Sequence, residues 1–276
     1  EAGGGGGAVV TLEGGAEEQY DLVVGCDGIR SAARASVPAG ARSSEARESG
    51  IRVLFGVAPE GSHPAGGDGE LHQWFGDGAY ALCWSGGGEG SRQDMCALCV
   101  SDGRVAGAGE NALWEEGEAR AEAVAQARKR GLPEAVAGLL SRCGRMFEVG
   151  VRYYDPTPGW SSRAGRVVLL GDSAHAMPPF LGQGANQALL DAWSLSTHVA
   201  KLEAGAHDSL AEAMGAYERN RFAPTAAITQ SSRGIGLLET LPYPLSLGRD
   251  AAFLAAGRLG VAQKVFLDGA APRLDR

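Results

Sequence analysis

The sequence predicts an α/β fold carrying α+β elements, in which one α/β domain is interrupted by a second domain built on an antiparallel sheet. Three observations carry that reading. Two apolar runs, Tyr20–Gly25 after its Asp21 and "RVVLL" at Arg166–Leu170, each lead into a glycine–aspartate junction. Near-continuous apolar runs are what strands covered on both faces require. Between them, residues 51–100 hold four short β-like pieces, "IRVLFGV", "ELHQWFG", "AYALCW" and "MCALCV", separated by Gly-rich turns. Such spacing is the signature of an antiparallel sheet.

The elements follow in order. "AVVTLEGGAEEQYDLVVG" reads as strand, Gly-Gly turn and strand. Residues 110–143 turn helical, with Pro133 in the first turn of "PEAVAGLLSRC", a position proline tolerates. After the second junction, Ala188, Leu189, Ala192, Leu195 and Val199 recur at helical spacing. Ser209 and Glu212 fit a capping box for the next helix, which Pro224 is expected to kink or break. Residues 235–274 read as irregular helices. The expected division is 1–44 and 156–230 in the first domain, 45–155 in the sheet domain, and 231–276 as a helical tail.

Composition excludes several functions. The chain has 276 residues, 44% hydrophobic and 21% charged, long enough for a sizeable core and ordinary for a globular protein. A net charge of -8 argues against nucleic acid, which calls for a basic excess. No run of about 18 apolar residues marks a membrane span. The chain opens on Glu1 rather than Met, inside an apparent hairpin, so the natural start and any targeting segment are expected upstream. Five cysteines are scattered; Cys96 and Cys99 lie in an apolar strand without a second pair for zinc. That usage fits a reduced, intracellular protein, and no metal is expected.

The two junctions carry the chemistry. In "DLVVGCDGIRSAAR" (residues 21–34), Asp27 and Gly28 follow a strand end, where open α/β sheets bind ligands, and Arg34 offers a fork suited to phosphate or carboxylate. Asp27 reads equally as a helix N-cap. The second, "VVLLGDSAHAMPPFLGQGANQALLDA" (residues 167–192), is more specific. Asp172, after Gly171, can accept hydrogen bonds from a hydroxylated ligand, and Pro178 and Pro179 stiffen the approach. Gly182 and Gly184 let the backbone come close to a flat ligand. The amides of Ala185 and Asn186 open a helix whose positive dipole end favours an electron-rich oxygen.

"GCDGIRSAAR" and "GDSAHAMPPFLGQGANQALLDA" resemble the two later fingerprints of the FAD-dependent monooxygenases of the aromatic-hydroxylase type, the group of para-hydroxybenzoate hydroxylase and zeaxanthin epoxidase. The resemblance implies a three-layer FAD-binding domain, with residues 45–155 as the substrate-binding roof over the flavin. It implies that Gly171 and Asp172 hold the ribityl chain, that Pro179 lies beside the isoalloxazine, and that Gly182, Gly184, Ala185 and Asn186 face the flavin's pyrimidine edge. Asp27, Gly28 and Arg34 would serve the pyrophosphate side of FAD and transient NAD(P)H. The implied chemistry is reduction of FAD by NAD(P)H, reaction with O2 to a flavin hydroperoxide, and transfer of a hydroxyl to a small aromatic or alkene substrate.

The family's opening Gly-x-Gly-x-x-Gly unit for the ADP half of FAD is not found here. The domain is therefore expected to be N-terminally truncated, and the chain alone is expected to be poorly soluble and flavin-free. A related reductase or halogenase, or an inactive fragment, are the alternative readings. No catalytic residue is identified. His175 is expected to play a structural role and Asp191 to pair locally. Trp74, Phe75, Tyr80 and Trp84 are expected to pack in the roof, where they could also meet an aromatic substrate, with Arg152 and Tyr153 beside them.

Overall fold

The computed structural model describes residues 7–39, 45–65, 70–88, 90–103 and 117–260. The strands are β1 (Ala8–Thr11), β2 (Glu17–Tyr20), β3 (Val23–Gly25), β4 (Arg47–Pro59), β5 (Leu71–Gly76), β6 (Ala79–Gly86), β7 (Gln93–Ser101), β8 (Arg145–Tyr153) and β9 (Val167–Leu169). The helices are α1 (Glu118–Lys129), α2 (Glu134–Ser141), α3 (Asp172–His175), α4 (Gly184–Glu203), α5 (Leu210–Glu239) and α6 (Leu245–Arg258). The chain divides into two compact units. One holds the residues up to Arg47 together with Arg152–Arg233; the other holds Glu48–Val151 and the segment from Gly234. Described residues 234–260 thus belong to the same unit as the sheet.

In the first unit, β1 and β2 form an antiparallel hairpin turned by Gly14 and Gly15, both at positive φ. β3 pairs in parallel with β9, Val23 opposite Val167 and Gly25 opposite Leu169. The predicted strand Tyr20–Gly25 is corrected on two points. Tyr20 belongs to the hairpin and is 45% exposed, and Val24 is 40% exposed. The run is broken because Arg166 donates to the Asp21 carbonyl at 3.0 Å, which pins the chain before β3 begins. The core beneath β9 gathers Val37, Trp160, Val168, Leu169, Leu195, Met214 and Tyr217.

The cap of α5 departs slightly from the box expected. Ser209 Oγ accepts from the Glu212 amide at 3.2 Å, but the Glu212 carboxylate reaches the Asp208 amide at 2.8 Å. Pro224 does not break α5, which runs through it for 30 residues. Beside it the Thr225 hydroxyl donates to the Arg221 carbonyl at 2.8 Å.

The second unit is a five-stranded antiparallel sheet in the order β5-β6-β7-β4-β8; β8 has no counterpart in the sequence prediction. Side chains alternate between faces. Leu54, Ala81, Cys83, Cys96 and Leu98 bury one face against Ala127 of α1 and Val136, Leu139 and Leu140 of α2, with Trp74 packed at its edge. Gly56 is required there, since a Cβ would meet Cys143 Sγ at 2.5 Å. Fully buried Arg52 crosses to Asp102, Glu122 and Glu148 at 2.7–3.0 Å. The opposite face carries Phe55, Phe75, Tyr80, Leu82, Trp84, Cys99 and Phe147. Phe55 lies 5.7 Å from Trp84 and 5.1 Å from Phe147, centroid to centroid. Cys96 and Cys99 therefore point to opposite sides of one strand. No helix among the described residues is long and apolar enough to cross a membrane.

Candidate functional site

The second junction is built on one backbone reversal. After β9 the chain turns at Gly171, with φ 63° and ψ −138°, a region closed to residues with a Cβ. A Cβ there would also meet Ala188 Cβ at 3.2 Å. The four-residue α3 follows, then Pro178, whose carbonyl accepts from Ser232 Oγ at 2.6 Å, then a 3-10 turn ending at Gly182 in the left-handed region. The first helical bond of α4 runs from the Gln187 amide to the Gln183 carbonyl at 2.9 Å. The amides of Gly184, Ala185 and Asn186 thus precede the ladder, as the first amides of any helix do.

Burial sorts this segment into two sets. Asp172, Pro179, Gly182, Ala185 and Asn186 are exposed, while Ser173, His175, Gln183, Gln187 and Asp191 are buried. All five exposed residues are among those the sequence assigns to ligand; of the others assigned in this segment, Gly171 is buried and Gly184 half-buried. A Cβ built on Gly184 meets nothing within 4 Å, so open space lies beside the start of α4. A carboxylate, bare amides and clear space beside a helix dipole suit a flat ligand with hydroxyls and an electron-rich edge.

The buried set holds that surface in place. The Ser173 hydroxyl lies 2.5 Å from the Gly25 carbonyl and accepts from the Leu170 amide at 3.2 Å, joining the ends of β3 and β9. The sequence reading has Asp191 capping or pairing locally, but its partners are distant in the chain. Fully buried, it accepts from the Gly171 amide at 3.0 Å, from His175 Nε2 at 2.5 Å and from Arg221 Nε at 2.7 Å. Burial pushes the Asp191 carboxyl up, but the bonds and charges of His175 and Arg221 outweigh it and hold it below the usual carboxylate range. His175 is buried, bonded to Asp191 and packed 5.1 Å from the Trp160 ring centroid. Arg221, absent from the sequence reading, also donates to Gln187 Oε1 at 2.6 Å. One signal was available: Gln187, Asp191, Leu195 and His198 form the buried stripe of α4. The predicted stripe is rotated from it, since Leu189 is 71% exposed.

At the first junction, Asp27 Oδ2 accepts from the Ala32 and Ala33 amides at 2.6 and 3.1 Å. Burial pushes its carboxyl up, and the hydrogen bonds from Ser31 and these amides bring it below the ordinary value. It caps the 3-10 turn Ala33–Ser36 and remains exposed. Gly28 sits at φ 75° with open space where a Cβ would go. Arg34 is placed differently from the phosphate-facing fork expected. It is 2% exposed, and its NH1 donates to the Ser173 and Ala174 carbonyls at 2.8 and 3.1 Å. Its guanidinium lies 3.8 Å from the Tyr154 ring centroid, and the Tyr154 hydroxyl donates to the Ile29 carbonyl at 2.6 Å. The reason is geometric: α3 is too short to satisfy its own carbonyls, and Arg34 supplies the donors. Tyr153 is buried beneath Arg233, 5.4 Å from its ring centroid. Among the described residues no group of three or more His, Cys, Asp or Glu side chains could hold a metal.

Known proteins share this arrangement. The family model described as "FAD binding domain" matches residues 8–232. Over 222 residues the chain is 33% identical to 3-amino-4-hydroxybenzoate 2-monooxygenase of Streptomyces cremeus, covering 77% of this chain and 48% of that protein. It is 30% identical over 288 residues to the chloroplastic zeaxanthin epoxidase of Solanum lycopersicum, covering 96% of this chain and 39% of that one. The chain thus spans about half or less of the length of these relatives. In fold it is similar to Klebsiella pneumoniae HpxO complexed with FAD and uric acid, at a TM-score of 0.75, 20% identity, and coverage of 98% of this chain and 64% of that one. With the model spanning both junctions, the chain belongs to the FAD-binding domain family, whose relatives are FAD-dependent monooxygenases.

Proposed function

We propose that this chain forms the flavin side of an FAD-dependent monooxygenase that takes electrons from NAD(P)H and hydroxylates or epoxidises a small aromatic or alkene substrate. The observation that carries the reading is the sorting of residues 172–187, where Asp172, Pro179, Gly182, Ala185 and Asn186 are exposed while Ser173, His175 and Gln187 are buried. With FAD bound, Asp172 would accept from the ribityl hydroxyls and Pro179 would border the isoalloxazine. Gly171, Gly182 and Gly184 give the backbone its close approach, and the amides of Ala185 and Asn186 favour negative charge on the ring edge. Asp27 and Gly28 serve the pyrophosphate side, and Arg34 acts there by holding α3. Bound FAD would supply oxygen activation, while this chain binds, orients and excludes water. The aromatic face around Phe55, Trp84 and Phe147 is suited to a planar, apolar substrate.

The test is Asp172→Ala in the complete protein. Losing a charged hydrogen-bond acceptor costs about 1.5–3 kcal/mol, or roughly ten- to a hundredfold in FAD affinity. An unchanged flavin dissociation constant in a folded variant overturns the assignment. NAD(P)H oxidation with and without phenolic substrates, with product analysis, separates a monooxygenase from a reductase on the same cradle.

A further inference from the structure

A second group of buried polar side chains lies wholly in the sheet unit. Glu239, the last residue of α5, is 4% exposed. Its Oε1 accepts from Gln73 Nε2 of β5 at 2.8 Å, and the Tyr80 hydroxyl of β6 lies beside the same carboxyl. Tyr80, 1% exposed, also neighbours the Cys99 thiol of β7. Glu239 Oε2 is buried without a hydrogen-bond partner among the described residues. The cation packed nearby does not pair with it: Arg249 of α6 gives its Nε and NH2 to Asp250 at 2.8 and 2.7 Å. Its NH1 goes to the backbone carbonyl of Glu239 at 2.8 Å.

A carboxylate in such a place loses its hydration and gains too few donors to replace it. A carboxylic acid in the same place costs far less. We propose that Gln73, Tyr80, Cys99 and Glu239 form a pH-sensitive clasp: neutral Glu239 fastens the end of α5 to the sheet, and ionised Glu239 leaves its buried place and releases the α5–α6 corner.

The groups facing Glu239 set the range in which this happens. Burial raises its carboxyl from 4.5 to about 7, against the bonds from Gln73 and Tyr80 and the charge of Arg249. Burial also carries Cys99 up to about 12 and Tyr80 above the phenol range, helped by Cys99 and Glu239. Of this cluster, Glu239 alone changes charge near neutrality. A group whose folded pKa exceeds its open-state value holds the closed form at low pH and loses that hold as pH rises. Across the interval from 4.5 to about 7, the opening equilibrium grows tenfold per pH unit, up to about 300-fold.

Tyr80 occupies the same strand face as Leu82 and Trp84, so release frees one end of the aromatic face. The clasp itself does not depend on the flavin reading.

The experiment is hydrogen exchange on the chain itself, comparing wild type with Glu239→Gln at about pH 5.5 and about pH 8.5, so that intrinsic exchange chemistry cancels. Glutamine keeps the shape and cannot ionise. Peptides covering β5, β6 and 236–250 are expected to lose protection by up to about thirtyfold in wild type between the two pH values, and to stay protected in the variant. Equal behaviour of the two proteins overturns the clasp. Should Glu239→Gln fail to fold, 13C-NMR titration of the wild-type glutamate carboxyls decides, with Tyr80→Phe as the partner variant. One carboxyl titrating near neutrality, and moving higher in Tyr80→Phe, supports the proposal. Titration of every glutamate in the ordinary carboxylate range overturns it.

Discussion

Asp191→Ala is the perturbation that tests the buttress of the flavin-side turn. The carboxylate is fully buried and receives three donors: the Gly171 amide, His175 Nε2 and Arg221 Nε. Alanine leaves Arg221, 6% exposed, with a buried charge and only the Gln187 side chain and backbone beside it. Breaking a buried ion pair from one side costs about 3–5 kcal/mol. The orphaned amide and imidazole add to the cost, but not independently. A loss of about 4 kcal/mol is expected, a large part of the 5–15 kcal/mol typical of a domain.

The paired variant Asp191→Leu with Arg221→Met removes both charges, so it should recover most of that loss. Urea unfolding followed by circular dichroism at about pH 7 measures both. The sign with pH is fixed, because the folded carboxyl sits below its unfolded value. Its contribution is present above the unfolded pKa and is lost as pH falls through the folded one. The penalty of Asp191→Ala should therefore shrink in acid. A single variant losing less than about 1 kcal/mol, or a double variant no better than the single, refutes the argument.

Three further outcomes are expected. Gly184→Val meets nothing in the protein, so stability should stay within about 0.5 kcal/mol while FAD affinity falls at least tenfold, about 1.4 kcal/mol; normal flavin affinity would show that the amides do not face the ring. Gly56→Ala drives a methyl to 2.5 Å from Cys143 Sγ and 2.9 Å from Met146 Cε, an overpacking of about 1–3 kcal/mol that Cys143→Ala should partly relieve in chemical denaturation. His198 lies between His207 and Asn220, each at 3.0 Å; burial first, then the charges of Lys201, His207 and Arg219, lower its pKa from 6.5. Its stabilisation should be complete above 6.5 and lost as pH falls below it, a slope in the melting temperature that His198→Gln should flatten.

The exposed turn after β9 was legible in the sequence because its positions demand residue types for local reasons. Gly171 and Gly182 adopt backbone angles that a Cβ resists, and a helix start after a glycine needs no distant partner. The supports were not legible, because their meaning lies in tertiary partners. Arg34 reads as a free cationic fork until α3 is placed against it, and Asp191 reads as one charge on an amphipathic helix. β8 was missed because Glu148 and Arg152 make its stretch look solvated. Glu148 in fact turns to buried Arg52 at 3.0 Å. Pro224 misled through propensity alone, since the helix runs through it for 30 residues.

The short helix α3 has a consequence for how this turn can be reused. Four residues cannot sustain a helix by their own hydrogen bonds. Its carbonyls are gripped by Arg34 from one side, and its leading amide and imidazole by Asp191 from the other. The recognisable signature is therefore not a portable module. Residues 171–186, grafted after a strand of another α/β sheet, would bring every ligand-facing group and none of the clamps that aim them. A transplant would have to carry Arg34, Asp191 and Arg221 along, three residues from three separate parts of the chain.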